Sequence, residues 1–163
     1  QDLAELSIRN LFNSLEDYVN HGDLEFADEV FRAANIAGIV QNISVPGLGH
    51  ALSHQMSSYG LSHGNGCGKF LPIAIRINSR KDSVNLAYEE LSKRLNFKSI
   101  NGFIKKIEDL LDSFDVSIPE EMINKALDDK ELISNVFKDP TARANPLMLS
   151  EDHIIEALEM ARE

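Results

Sequence analysis

From Asp2 to Val19 the apolar positions Leu3, Leu6, Leu11, Phe12, Leu15, Tyr18 and Val19 recur every three or four residues, which predicts a helix with one buried stripe. Gly22 ends it, and Asp23 is placed to cap a second helix from Leu24 to Ile43. The later half of that second helix, AANIAGIV, is small and apolar on nearly every face, which predicts burial in the middle of a fold. Pro46 and Gly47 break it. Leu48 to Met56 reads as a short helix, Gly60 to Gly68 as a glycine-rich connection, and Lys69 to Ile77 as a helix with Pro72 in its first turn. Regular amphipathic spacing returns at Ser83 to Leu95 and at Ser99 to Phe114. Pro119, followed by Glu120 and Glu121, opens another helix, and Asp129 to Phe137 forms a short one. KDPTARANPLML is turn-rich, and Ser150 caps a last helix to Ala161. No period-two alternation lasts beyond a few residues, so the predicted class is all-α.

Totals narrow the functional range. At 163 residues the chain is predicted to be one domain, with at most a small appendage, and 43% hydrophobic against 26% charged residues is globular composition. No apolar run reaches the ~18 residues that a membrane span needs. A net charge of −10 argues against nucleic acid, because Lys105 and Lys106 are followed at once by Glu108, Asp109 and Asp112. The single cysteine forbids an internal disulfide and fits a reducing, cytoplasmic setting. The chain opens with Gln1, directly in helical sequence, and is expected to be a piece of something longer.

The chemistry concentrates between Gly47 and Asn78, which holds His50, His54, His63, six of the nine glycines and Cys67. His21, beside a helix end, and His153, among the acids of the last helix, carry no role. His50 and His54 are four apart and share a helix face, a spacing that suits one metal ion. The Glu of an H-E-x-x-H helix is absent, and His63 adds a third imidazole nine residues on. No carboxylate lies within the stretch; Asp82 and Glu29 read better as a helix cap or solvated face. GNGCG has neither the strand nor the spacing of a phosphate loop, so its glycines are read as tight-turn residues beside the histidines. Cys67 is read as a small buried filler rather than a soft ligand.

GLGHALSHQ and LSHGNGCGKFLPIAIRIN together resemble the signature of the iron-dependent (group III) alcohol dehydrogenases. Gly47, His50, Ala51, His54, Gln55, His63, Gly64, Leu71, Pro72, Arg76 and Asn78 carry the match, and the N-P turn at Asn145-Pro146 is similar to the family's closing segment. Three departures stand out: the span from His50 to His63 is one residue short, Ser62 replaces a proline, and Gly66 to Lys69 replace a more apolar run. The resemblance implies the multi-helix C-terminal domain of the dehydroquinate synthase-like/iron alcohol dehydrogenase fold, here residues 1–163. It implies an N-terminal nucleotide-binding α/β domain and a D-x-x-x-H helix, neither within this sequence. It further implies that His50 and His63, rather than the His50–His54 pair that spacing favours, ligate Fe2+ (or Zn2+), with His54 moving a proton. The implied reaction interconverts a primary alcohol or diol and its aldehyde with NAD(P), in a protein that forms a homo-oligomer. The chain by itself is then expected to be inactive. The competing readings are a non-catalytic helical metal-binding or oligomerisation module, and a zinc glycerol dehydrogenase-like enzyme.

Overall fold

The computed structural model describes residues 2–162; Gln1 and Glu163 lie outside the described residues. Among the described residues ten α-helices follow one another in order: α1 (Asp2–His21), α2 (Leu24–Ile43), α3 (Leu48–Met56), α4 (His63–Asn78), α5 (Asp82–Arg94), α6 (Ile100–Ser113), α7 (Glu120–Asp128), α8 (Lys130–Lys138), α9 (Pro140–Arg143) and α10 (Glu151–Met160), with one 3-10 turn at Ser57–Tyr59. No strand occurs among the described residues, as the missing alternation predicts. None of these helices is long and apolar enough to cross a membrane. The chain divides into two compact units, 1–45 with 89–114, and 46–88 with 115–163.

In the first unit α1 and α2 form a hairpin. Gly22 turns the chain at φ +65°, and Asp23 caps α2 by accepting from the Glu25 N–H at 2.9 Å. Small polar side chains close the contact: the buried Ser7 hydroxyl donates to the Ala33 carbonyl at 2.8 Å, and Ser14 donates to Glu29. Phe12, Phe97 and Phe103 meet edge-on, with ring centroids 5.6–6.0 Å apart. The expectation that the later half of α2 is buried fails. Ala34, Ala37 and Ile39 are exposed, because α1 is the main neighbour and covers one stripe, Val30 and Ala33.

The second unit is built on α3 and α4. Its core gathers Leu48, Leu52, Met56, Phe70, Ile77, Ile123, Val136, Ile154 and Leu158, each with no more than a trace of exposed surface. Gly49 lies against the Phe70 backbone and Gly66 against Ser53, so the two helices run antiparallel at close range. A Cβ on Gly66 would stand 2.5 Å from Ser53 Oγ. That approach is why the glycine run is not a connection. It is the first part of α4, capped by Ser62, whose hydroxyl accepts from the Asn65 N–H at 3.3 Å. Pro72 consequently lies well inside α4 rather than in its first turn, and its ring has no N–H to give to Gly68.

A buried amide clasp fixes the opposite end of the α3–α4 pair. Asn145 Oδ1 accepts from the Leu48 N–H at 3.0 Å and from Asn78 Nδ2 at 3.1 Å. Its own Nδ2 donates to Asn78 Oδ1 at 2.6 Å and to the Leu147 carbonyl at 2.8 Å. Gly47 is required beside it, since a Cβ there would sit 2.6 Å from Asn145 Oδ1. Ser150 and His153 form a reciprocal cap on α10, which gives His153 a structural use.

Candidate metal centre

His50 and His54 project from successive turns of α3, and His63 is the first residue of α4. The antiparallel approach of the two helices gathers all three rings. Their centroids lie 4.8 Å (His50–His63), 5.2 Å (His54–His63) and 5.5 Å (His50–His54) apart. The shorter span between His50 and His63 therefore does not separate the rings, and the Ser62 cap occupies the place of the expected proline.

Two further residues join the cluster. Cys67, one turn beyond His63 on α4, places its Sγ 3.4 Å from His50 Nδ1 and 3.5 Å from His63 Nε2. It is half-buried between the rings, so the reading of Cys67 as a buried filler is corrected. Its signal was the i, i+4 spacing from His63 in HGNGC. Asp139, which caps α9, receives the His54 ring: His54 Nδ1 lies 2.8 Å from Asp139 Oδ2. Nothing local in the sequence links residues 85 positions apart, and only the fold joins them.

The electrostatics keep the cluster ready for a cation. Burial first, then the neighbouring His63 and His54, push the His50 pKa below the ordinary histidine value, with Asp139 pulling the other way. Neutral imidazole is the ligating form. Burial pushes the Cys67 thiol up, against a smaller opposite pull from a Ser53 hydrogen bond. Burial works to raise the Asp139 pKa, yet hydrogen bonds from Thr141 and His54 hold it below the usual carboxylate value. Thr141 gives Asp139 Oδ1 both its backbone N–H, at 2.8 Å, and its hydroxyl, at 2.6 Å.

Ser53 orients His63. Its hydroxyl donates to the His63 carbonyl at 2.9 Å and lies 3.1 Å from His63 Nδ1. An Nδ1–H donated to that oxygen leaves the Nε2 lone pair facing Cys67 and His50. Nitrogen and sulfur donors of His50, His63 and Cys67 all lie within 4.8 Å of one another, and the His63 side is open to solvent. A tetrahedral ion with metal–nitrogen bonds of about 2.0–2.1 Å and a metal–sulfur bond of about 2.3 Å holds such donors about 3.3–3.6 Å apart. The donor types and both nitrogen–sulfur spans suit a divalent metal, with the two nitrogens, within 4.8 Å of each other, drawing together on it.

The chain is similar to known proteins over most of its length. An alcohol dehydrogenase of Thermococcus barophilus is 28% identical over 145 residues, covering 86% of this chain and 38% of that protein. An aldehyde-alcohol dehydrogenase 2 of Entamoeba histolytica is 25% identical over 170 residues, covering 88% of this chain and 19% of that protein. The solved iron-containing alcohol dehydrogenase of Thermococcus thioreducens superposes with a TM-score of 0.88 at 26% identity, over 99% of this chain and 43% of that one. An alcohol dehydrogenase from Oenococcus oeni, at 22% identity and a TM-score of 0.73 over 98% of this chain and 44% of that one, shares the fold. The chain thus spans less than half the length of each of these relatives. Residues 1–162 match the Fe-containing alcohol dehydrogenase family, C-terminal, and the chain belongs to that family as its all-helical C-terminal domain.

Proposed function

We propose that this chain supplies the metal-binding helical part of an NAD(P)-linked oxidoreductase that interconverts a small primary alcohol or diol and its aldehyde. The observation that carries the reading is the convergence of His50, His54 and His63 from two helices, with only His54 tied to a carboxylate. His50 and His63 would hold the metal, Fe2+ or Zn2+. When bound, that metal supplies Lewis-acid polarisation of an alcohol or carbonyl oxygen.

His54 moves the proton. Its Nδ1–H bonded to Asp139 leaves Nε2 as an acceptor. The ionised Asp139, fixed by Thr141, steadies the imidazolium that forms when Nε2 takes a hydroxyl proton. His54 is partly exposed, so the proton leaves to water without crossing the core. The rest of the protein would bring the nicotinamide and further metal ligands, and the exposed apolar flank of α2 gives it a surface to cover.

The test is alcohol-dependent reduction of NAD(P) by the whole metal-loaded protein. His50→Ala and His63→Ala are expected to abolish both metal content and turnover. His54→Ala keeps the metal and loses about 10²–10⁴ in rate, the usual worth of a positioned acid–base group. Turnover that survives loss of both His50 and His63 would refute the assignment, and so would turnover by residues 1–163 alone.

A further inference from the structure

The sulfur of Cys67 stands almost equally far from two ring nitrogens, 3.4 Å from His50 and 3.5 Å from His63. A thiol has one proton and can satisfy only one of those nitrogens at a time. A thiolate and two neutral imidazoles aimed at one ion use all three donors together. The expected nitrogen–sulfur span in a tetrahedral site, about 3.5 Å, is the span observed on both sides.

We propose that Cys67 is a metal ligand of this protein, completing with His50 and His63 a two-imidazole, one-thiolate face that takes zinc, or another thiophilic divalent ion, in preference to iron(II). This rests on the placement of the metal at His50 and His63 and sharpens it. On binding, the Cys67 S–H bond breaks, sulfur bonds the metal, and the proton passes to the buffer; no electron moves. One proton is released per ion bound. The thiolate is the soft donor of the set, and zinc stands above iron(II) in affinity for nitrogen and sulfur ligands.

Cobalt(II) is the probe, titrated into the 163-residue chain under reducing, metal-free conditions, because it reports its donors spectroscopically. Cys67 is the sole cysteine, so any thiolate-to-cobalt charge-transfer band in the near ultraviolet is assigned without ambiguity. The expected result has three parts: that band together with tetrahedral ligand-field bands, one proton released per cobalt, and displacement by zinc at concentrations at least about tenfold below those at which iron(II) competes. Cys67→Ser, checked for helicity, is expected to lose the charge-transfer band and the proton and to weaken cobalt binding by about tenfold or more. Ligand-field bands without charge transfer in the unaltered chain, abolished by His50→Ala, would overturn the role of Cys67 and leave the histidine site standing. Failure of the unaltered chain to bind cobalt, with the whole protein binding it through other residues, would overturn both.

Discussion

Gly66 is the point where α4 touches α3, and adding one methyl group there tests whether that contact aligns the site. An alanine Cβ would lie 2.5 Å from Ser53 Oγ, 3.0 Å from Ser53 Cβ and 3.2 Å from Leu61 Cδ2. Ser53 is fully buried, and rotating its hydroxyl away forfeits the bond to the His63 carbonyl. Overpacking of this kind costs roughly 1–3 kcal/mol. Exchanging glycine for alanine inside a helix returns roughly 0.5–1 kcal/mol. Gly66→Ala should therefore destabilise the chain by about 1–2 kcal/mol. In a Ser53→Gly background both Ser53 contacts are gone and Leu61 alone remains near, so the same methyl should become neutral or stabilising by up to about 1 kcal/mol. Urea unfolding of the four proteins, followed by helical circular dichroism, reads the coupling directly, and about 1–3 kcal/mol is expected. Equal shifts in the two backgrounds, within the ~0.5 kcal/mol at which independent sites add, would refute the contact. So would a Gly66→Ala chain more stable than the original.

Three other outcomes follow from the same geometry. Asn145→Ala strands the Leu48 N–H and the Asn78 side-chain oxygen in the core; at about 1–3 kcal/mol for each unsatisfied group, a loss of roughly 2–6 kcal/mol in urea unfolding is expected. Tyr59, whose hydroxyl donates to Asp129 at 2.6 Å, has its pKa pushed up to about 12 by partial burial and then by that bond. Its folded pKa exceeds the unfolded value near 10, so the stability it contributes is whole below pH 10 and lost as pH rises toward 12; Tyr59→Phe should flatten that loss, as read by unfolding across the range. In the whole metal-loaded enzyme Asp139→Asn should lower kcat by on the order of a hundredfold or more with little change in KM, since it removes the anchor that fixes the His54 tautomer. Asparagine caps α9 as well as aspartate does, so a circular dichroism spectrum unlike the original would remove the basis of that test.

Helical periodicity placed almost every helix, because α6 and α8 each bury one clean apolar stripe and carry side-chain caps at Ser99 and Asp129. It failed where residue type and position serve a partner rather than the helix itself. Glycine at 64, 66 and 68 lowers helix propensity, and the run therefore reads as a connection; its reason is the 2.5 Å clearance to Ser53 on another helix. The later half of α2 is apolar all round, which says that something should cover it but not that this chain does so. The three histidines were legible from spacing and from the family signature. Cys67 was visible one turn from His63 and was passed over because cysteines are so often inert core residues. Asp139 was not legible at all. Its contact with His54 is created by α9 folding back beside α3, and the D-P-T sequence announces only a cap.

The residues around the histidines divide by what they do. Gly47, Asn78 and Asn145 clasp the start of α3 to the end of α4, while Ser53 and Gly66 set the clearance at the other end. His50 lies on α3 between these two fixed points, and His63 and Cys67 flank Gly66 on α4. None of those fixings involves a metal. Under the proposed reading the helix bracing would position these donors ahead of an ion, sparing binding part of the ~0.5–1.5 kcal/mol that ordering each side chain costs. This bracing keeps the His50 and His63 rings together despite the shortened span between them and the Ser62 cap. The stretch from Gly47 to Asn78 is thus first a description of how two helices are pinned together, and the proposed chemistry follows from what stands between the pins.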